Sequence, residues 1–230
     1  MGSIRHHHLT DTTLQQYAAG ALSPAMETLV ACHLSTCARC RAELGVHEAM
    51  GGAVLGAGEA VAPRASAAEA LARARALRDP RDVAGGAGDA RGARGVRLEV
   101  PDTGVPRPLG RLLPGPLDAL EWHITAPGLH QINLSSRPRT EGAFKLLHCA
   151  PGLSFSAHTH RERELTVVLR GAYTDEIGRF GPGDVSDLDE TVVHRPVVVE
   201  GEPCVMLIAT DSPVRYTELL GTLMQPFVGI

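Results

Sequence analysis

The stretch HLSTCARC places His33, Cys37 and Cys40 at the spacing histidine, three residues, cysteine, two residues, cysteine. Imidazole nitrogen and thiolate sulfur are the donors of closed, tetrahedral zinc sites. Two cysteines three residues apart near a helix start share one face, and the N-terminal helix dipole favours their thiolates. A histidine at the end of the preceding helix reaches the same point across a tight turn. Three donors leave one position to fill. The run His6, His7, His8 is the obvious source. Cys32 is an awkward alternative: it points away from the side of the helix that carries His33, and it reads as a packed free thiol.

A second set lies in GLSFSAHTHRERELTVVLRG. His158 and His160 alternate along a strand, so both imidazoles leave the same face. Glu164 follows across a short turn, and His194 lies beyond the GPGD turn on a later strand. Imidazoles with one carboxylate suit zinc, iron, manganese or nickel, and ligand type alone does not choose among them. An isolated H-x-H says little. The bounded pattern is more specific: Gly152, five residues, His158-x-His160, three residues, Glu164, six residues, Gly171. Cys149 and Cys204 fall on predicted strands and read as buried, inert thiols, Cys204 being the one to test for redox activity.

Two kinds of element must position these sets. Up to about Arg78 the pattern is helical. Asp11 is placed to cap a helix through Leu14 and Tyr17 that stops at Gly20, and Ser23-Pro24 opens a second with the stripe Met26, Leu29, Val30, His33. Ser35 or Thr36 is placed to cap a third helix carrying both metal-site cysteines. Ser66 to Glu69 forms a capping box for a fourth, with Ala70, Leu71, Ala74 and Leu77 facing inward. Residues 79–95, DPRDVAGGAGDARGARG, form a linker by composition. From residue 96 to 230 the pattern changes to short strands such as FKLLHCA, ELTVVLRGAY, RPVVVEG and CVMLIAT, separated by turn residues. The expectation is α + β in two domains: a small all-α zinc-binding module over residues 1–78, then an all-β barrel over 96–230. So small a helical unit, with so few apolar residues, needs a staple such as a metal or a partner.

The 230 residues carry a formal charge of −4 and 43% hydrophobic residues, with Lys145 the only lysine. That balance excludes a general nucleic-acid binder, whose footprint is a basic face. No apolar run is long enough to span a membrane, and MGSIRHHHLTD lacks the apolar core of a signal peptide. A cytoplasmic protein is expected, where a C-x-x-C pair signals a metal or redox site rather than a disulfide.

The His158 pattern resembles the first signature motif of the cupin superfamily, whose barrels hold a metal inside. Gly178, Pro182, Gly183 and His194 fit the second motif loosely, with a long gap before the histidine. The combination of IRHHH, LQQYAAGALS, HLSTCARCRA, the cupin motif and the closing MQPFVGI resembles the ChrR-type zinc-binding anti-sigma factors nearly end to end. The resemblance implies zinc on His8, His33, Cys37 and Cys40, with His6 and His7 as the alternatives to His8. It implies a second divalent metal, zinc first, on His158, His160, Glu164 and His194. It further implies a non-enzyme that holds an extracytoplasmic-function sigma factor inactive through the helical module. Release would follow oxidative stress, singlet oxygen or related oxidants, sensed through the cupin. Leu14, Tyr17, Leu22, Leu29 and Leu71 are candidate sigma contacts, and equally candidates for the module's own core. The competing expectation is a metal-dependent cupin dioxygenase or isomerase with an attached zinc module.

Overall fold

The computed structural model describes residues 7–59, 65–77, 95–97, 105–135, 142–212 and 215–216. His6, the linker apart from its last residue, the closing MQPFVGI, and the side chains of Ala74 and Leu77 lie outside the described residues.

Three helices open the chain: α1 (Asp11–Ala18), α2 (Pro24–Thr36) and α3 (Ala38–Gly56). Their boundaries follow local chemistry. The Thr10 hydroxyl, one residue before the expected Asp11, accepts from the Thr13 amide and caps α1. Ser23 caps α2, with Pro24 at its first position. The cap of α3 differs from expectation. Helix α2 continues through Ser35 and Thr36, and Cys37 both ends α2 and starts α3, its sulfur accepting from the Cys40 amide at 3.4 Å. A side chain wanted at the metal point thus doubles as the cap. Helix α4 (Ala67–Leu77) opens with the expected capping box: Ser66 N donates to Glu69 Oε2 at 2.8 Å, and Glu69 N donates to Ser66 Oγ at 3.3 Å. Ala70 and Leu71 are exposed rather than facing inward.

Most of the rest is β structure. One seven-stranded antiparallel sheet runs in the order β1 (Gly95–Arg97), β2 (Glu121–Ala126), β3 (Leu129–Asn133), β4 (Ala143–Cys149), β11 (Cys204–Thr210), β6 (Glu164–Arg170), β9 (Val185–Leu188). Two small sheets complete it: β10 (Val197–Val198), β7 (Tyr173–Thr174) and β8 (Arg179–Phe180) pair in one, and β12 (Arg215–Tyr216) and β5 (His158–Thr159) in the other. Gly171, at φ +68°, turns the chain from β6 into β7, so ELTVVLRGAY makes two strands rather than one.

Period-2 alternation gives the large sheet two apolar faces. Leu147, Cys149, Val168, Cys204, Met206 and Ile208 pack inward with Tyr173, Phe180 and Val198 of the small sheet. Phe144, Leu146, Leu165, Val167, Val205 and Leu207 point outward, and there they share one cluster with Leu14, Met26, Leu29 and Val30. The short helix α5 (Arg107–Gly110) lies beside α2 on this face. The helical module therefore does not keep its apolar stripe to itself. Its first two helices cover the back of the sheet, and Leu14 and Leu29, named above as candidate partner contacts, are fully buried there.

Candidate metal centres

The helical cluster sits where α1, α2 and α3 meet. His33 is in the last turn of α2, and its Nε2 lies 3.3 Å from Cys40 Sγ. His8 Nδ1 lies 3.3 Å from Cys37 Sγ and 3.6 Å from Cys40 Sγ. A zinc tetrahedron with Zn–N and Zn–S bonds of ordinary length has edges of roughly 3.3–3.8 Å, so these spacings fit an ion at the centre. Of the two described histidines at the start, His8 turns toward the sulfurs. His7 turns the other way and stacks on Phe180, ring centroids 3.9 Å apart. Burial pushes the Cys40 thiol up to about 12 and holds His33 below the ordinary imidazole range. A buried neutral imidazole is a competent donor, whereas a buried thiol needs a bound cation to become one. Cys32 is buried on its own, outside the cluster, its thiol raised to about 12 by burial.

The second cluster lies inside the β domain. His158, on β5, and His194 are joined backbone to backbone, each amide donating to the other's carbonyl at 3.1 and 3.0 Å. That bridge puts both rings on one side, with Nε2 atoms 3.0 Å apart. His160 Nε2 lies 3.3 Å from His194 Nε2, and Glu164 Oε1, at the start of β6, lies 4.0 Å from it. All four residues are buried, and one donor atom from each falls within 4.8 Å of the others. His194, which the second sequence motif supports only loosely, is therefore central to the geometry. Burial lowers His158 to about 4 and His160 to about 3, so both rings are neutral at physiological pH. Burial raises Glu164 to about 7. Three imidazoles and one carboxyl group converging on one point suit a divalent ion.

Two supports of this site are not legible in the sequence. His158 Nδ1 donates to the Ser156 carbonyl at 2.8 Å, which leaves the Nε2 lone pair toward the cluster. Asp175, its side chain fully buried, does the same for His194: Oδ2 lies 3.1 Å from Nδ1, while Oδ1 accepts from the amides of Ile177 and Gly178 at 2.9 and 3.2 Å. Such outer partners fix ligand tautomer and ring orientation. Nothing near Asp175 in sequence marks it for this role, because the contact forms only when β7 folds against the His194 loop. Cys149 and Cys204 face each other across β4 and β11, both buried with thiols raised by burial, as suits inert core residues.

The comparisons with known proteins cover both halves. Residues 115–213 match a family described as the ChrR cupin-like domain, and residues 12–41 match one described as a putative zinc-finger. The chain is similar to the anti-sigma-E factor ChrR of Cereibacter sphaeroides, 37% identical over 228 residues, covering 97% of this chain and 98% of that protein. Among solved structures it is similar to a chain of the crystal structure of Rhodobacter sphaeroides SigE in complex with the anti-sigma ChrR. That match has TM-score 0.64 and 34% identity, over 89% of this chain and 98% of the other. KdgF from Halomonas sp. matches over 41% of this chain and 90% of its own at 19% identity, TM-score 0.35. Among the described residues no helix is long and apolar enough to cross a membrane.

Proposed function

The chain belongs to the ChrR family of anti-sigma factors, and from that premise we propose that it binds an extracytoplasmic-function sigma factor through its helical module and keeps it from acting. The observation that carries this reading is the exposed apolar surface beyond the zinc-type cluster. On α3, Val46, Met50 and Val54 recur every four residues and are 59%, 61% and 76% exposed, with Leu55 at 83%. Leu71 on α4 adds to the unpartnered surface at 51%. A row at i, i+4, i+8 is the pattern of a helix that lies against another protein. The apolar residues of α1 and α2 are already committed to the sheet, so partner contact falls to α3 and α4, with Tyr17 and Leu22 at the margin.

His8, His33, Cys37 and Cys40 would hold the zinc, and zinc supplies the cross-link that a three-helix unit with so small a core lacks. His158, His160, Glu164 and His194 would hold a second divalent ion, zinc first. Four protein donors favour a closed site used for sensing or structure over a catalytic one with an open position. Release of sigma under singlet oxygen or related oxidants is the family's expected response. Its route here need not pass through the linker. Asp187 on β9, paired to the strand of Glu164, accepts from Thr10 N and Thr10 Oγ1 at 2.9 Å and from Thr13 Oγ1 at 2.6 Å. Arg163, next to Glu164 in sequence, reaches both Asp187 and Gln16. These contacts offer a direct route from the cupin ligands to the start of α1.

The test is co-expression of the full chain with each extracytoplasmic-function sigma factor of its own genome. One sigma factor co-purifies with the wild type. The double variant Val46→Asp/Met50→Asp loses it while keeping both metals. Retention of sigma by that variant would place the docking surface elsewhere, and no co-purifying sigma factor at all would overturn the reading.

A further inference from the structure

Each ligand histidine of a metal site has a second ring nitrogen, and what that nitrogen touches decides whether the first can bind. His33 directs Nε2 at Cys40 Sγ, 3.3 Å away. Its Nδ1 lies 2.9 Å from the carbonyl oxygen of Gly183. A carbonyl only accepts, so Nδ1 carries the proton and Nε2 presents its lone pair to the cluster. Gly183 is no part of the helical module. It belongs to the turn between β8 and β9, 150 residues away in sequence.

That turn is rigidly built. The Asp184 amide donates to the Gly181 carbonyl at 3.0 Å, the Gly181 amide to Asp184 Oδ2 at 2.8 Å, and the Gly183 amide to the Val168 carbonyl at 2.9 Å. Gly183 itself sits at φ +88°, where side chains are disfavoured. The two strands joined by this turn also lay out the segment that carries the other imidazole. His7 stacks on Phe180 of β8, and Thr10 and Thr13 hydrogen-bond Asp187 of β9. His8 is thus held between a contact with β8 and contacts with β9, and His33 is oriented by the turn that joins those strands.

We infer that the β8–β9 connection of the β domain is the outer shell of the helical zinc-type cluster, so that metal affinity in the helical module and docking of that module on the sheet are one coupled equilibrium. Linkage makes the coupling reciprocal: the ion tightens docking by the factor by which docking tightens the ion. Outer-shell partners of metal-ligating histidines are worth about 10- to 100-fold in affinity, and that is the size of the effect expected here. The inference stands on the contacts of β8, β9 and the turn between them, and is independent of which partner the module binds.

The experiment uses the full chain and Zn²⁺ in competition with a chromophoric chelator. Gly183→Ala forces a side chain onto the positive-φ position and displaces the carbonyl. It weakens the Zn²⁺ of the helical cluster 10- to 100-fold and leaves the metal of the β domain in place. Gly183→Asn, the substitution best tolerated at positive φ, recovers most of the loss. A complementary measurement reads the coupling from the other end. In Cys40→Ser, hydrogen exchange at the amides of Gly183, Asp184 and Thr13 accelerates, while the β4–β11 amides stay protected. Unchanged Zn²⁺ affinity in Gly183→Ala, or unchanged exchange at Gly183, Asp184 and Thr13 in Cys40→Ser, overturns the inference.

Discussion

Replacing Asp175 by asparagine tests whether the β-domain cluster is a metal site whose ligands are held in one tautomer. The substitution is nearly isosteric. The amide oxygen can keep the acceptor position of Oδ1 toward Ile177 N and Gly178 N, 2.9 and 3.2 Å away, so the turn after β7 is preserved. The amide nitrogen then takes the place of Oδ2, 3.1 Å from His194 Nδ1. Two donors now face each other. The ring escapes by moving its proton to Nε2, the nitrogen that points at His158 Nε2 and His160 Nε2. Binding an ion then requires restoring the unfavourable tautomer. Loss of an outer-shell partner costs about 10- to 100-fold in affinity, or about 1.4–2.7 kcal/mol, and the donor–donor contact places Asp175→Asn toward the upper end. The assay is chelator competition on full-length protein, with the absorption spectrum of bound Co²⁺ as a second readout of ligand number. Wild-type affinity and an unchanged Co²⁺ spectrum in Asp175→Asn would refute the reasoning.

Further outcomes follow from the same geometry. Leu29→Ala empties a fully buried position in the cluster shared by α2 and the sheet and costs about 2–5 kcal/mol, read as a lower denaturant midpoint; a midpoint within error of wild type would mean the helices do not pack there. Asp187→Ala removes the acceptor for three groups at the start of α1 and weakens docking by about 2 kcal/mol, seen as faster proteolysis of residues 7–20. Metal stripping with a strong chelator loosens the helical module before the β domain, so circular dichroism loses helical signal first; simultaneous loss would contradict a zinc staple confined to the helices.

How much of this was legible depended on sequence distance. The local sets, His33 with Cys37 and Cys40, and His158 with His160 and Glu164, could be read because their spacing alone brings donors to one side of a helix turn or a strand. His194 was weaker in sequence, since its place depends on a backbone bridge to His158. The choice of His8 was beyond spacing: three successive histidines are alike until Phe180 takes His7 to the other side. The apolar stripe on α1 and α2 was seen, but periodicity does not say what covers a stripe. Leu14 and Leu29 meet the sheet, and on α3 alanines and glycines dilute the exposed row so that no stripe stands out in the sequence. The cap of α3 was misplaced for a physical reason: serine and threonine are ordinary caps, and a cysteine cap is chosen by the cluster. No local pattern announces Asp175, and Gly183 is legible as a turn glycine but not as the acceptor for His33, because both contacts form only in the tertiary fold.

The most direct test of the account is sigma binding with the helical cluster intact and broken. Wild-type full-length protein and Cys40→Ser would each be titrated with the co-purifying sigma factor, with metal content measured on both. The account predicts tight binding by the wild type, and loss of binding in Cys40→Ser while the β-domain metal is retained. Equal binding by the two proteins would contradict it.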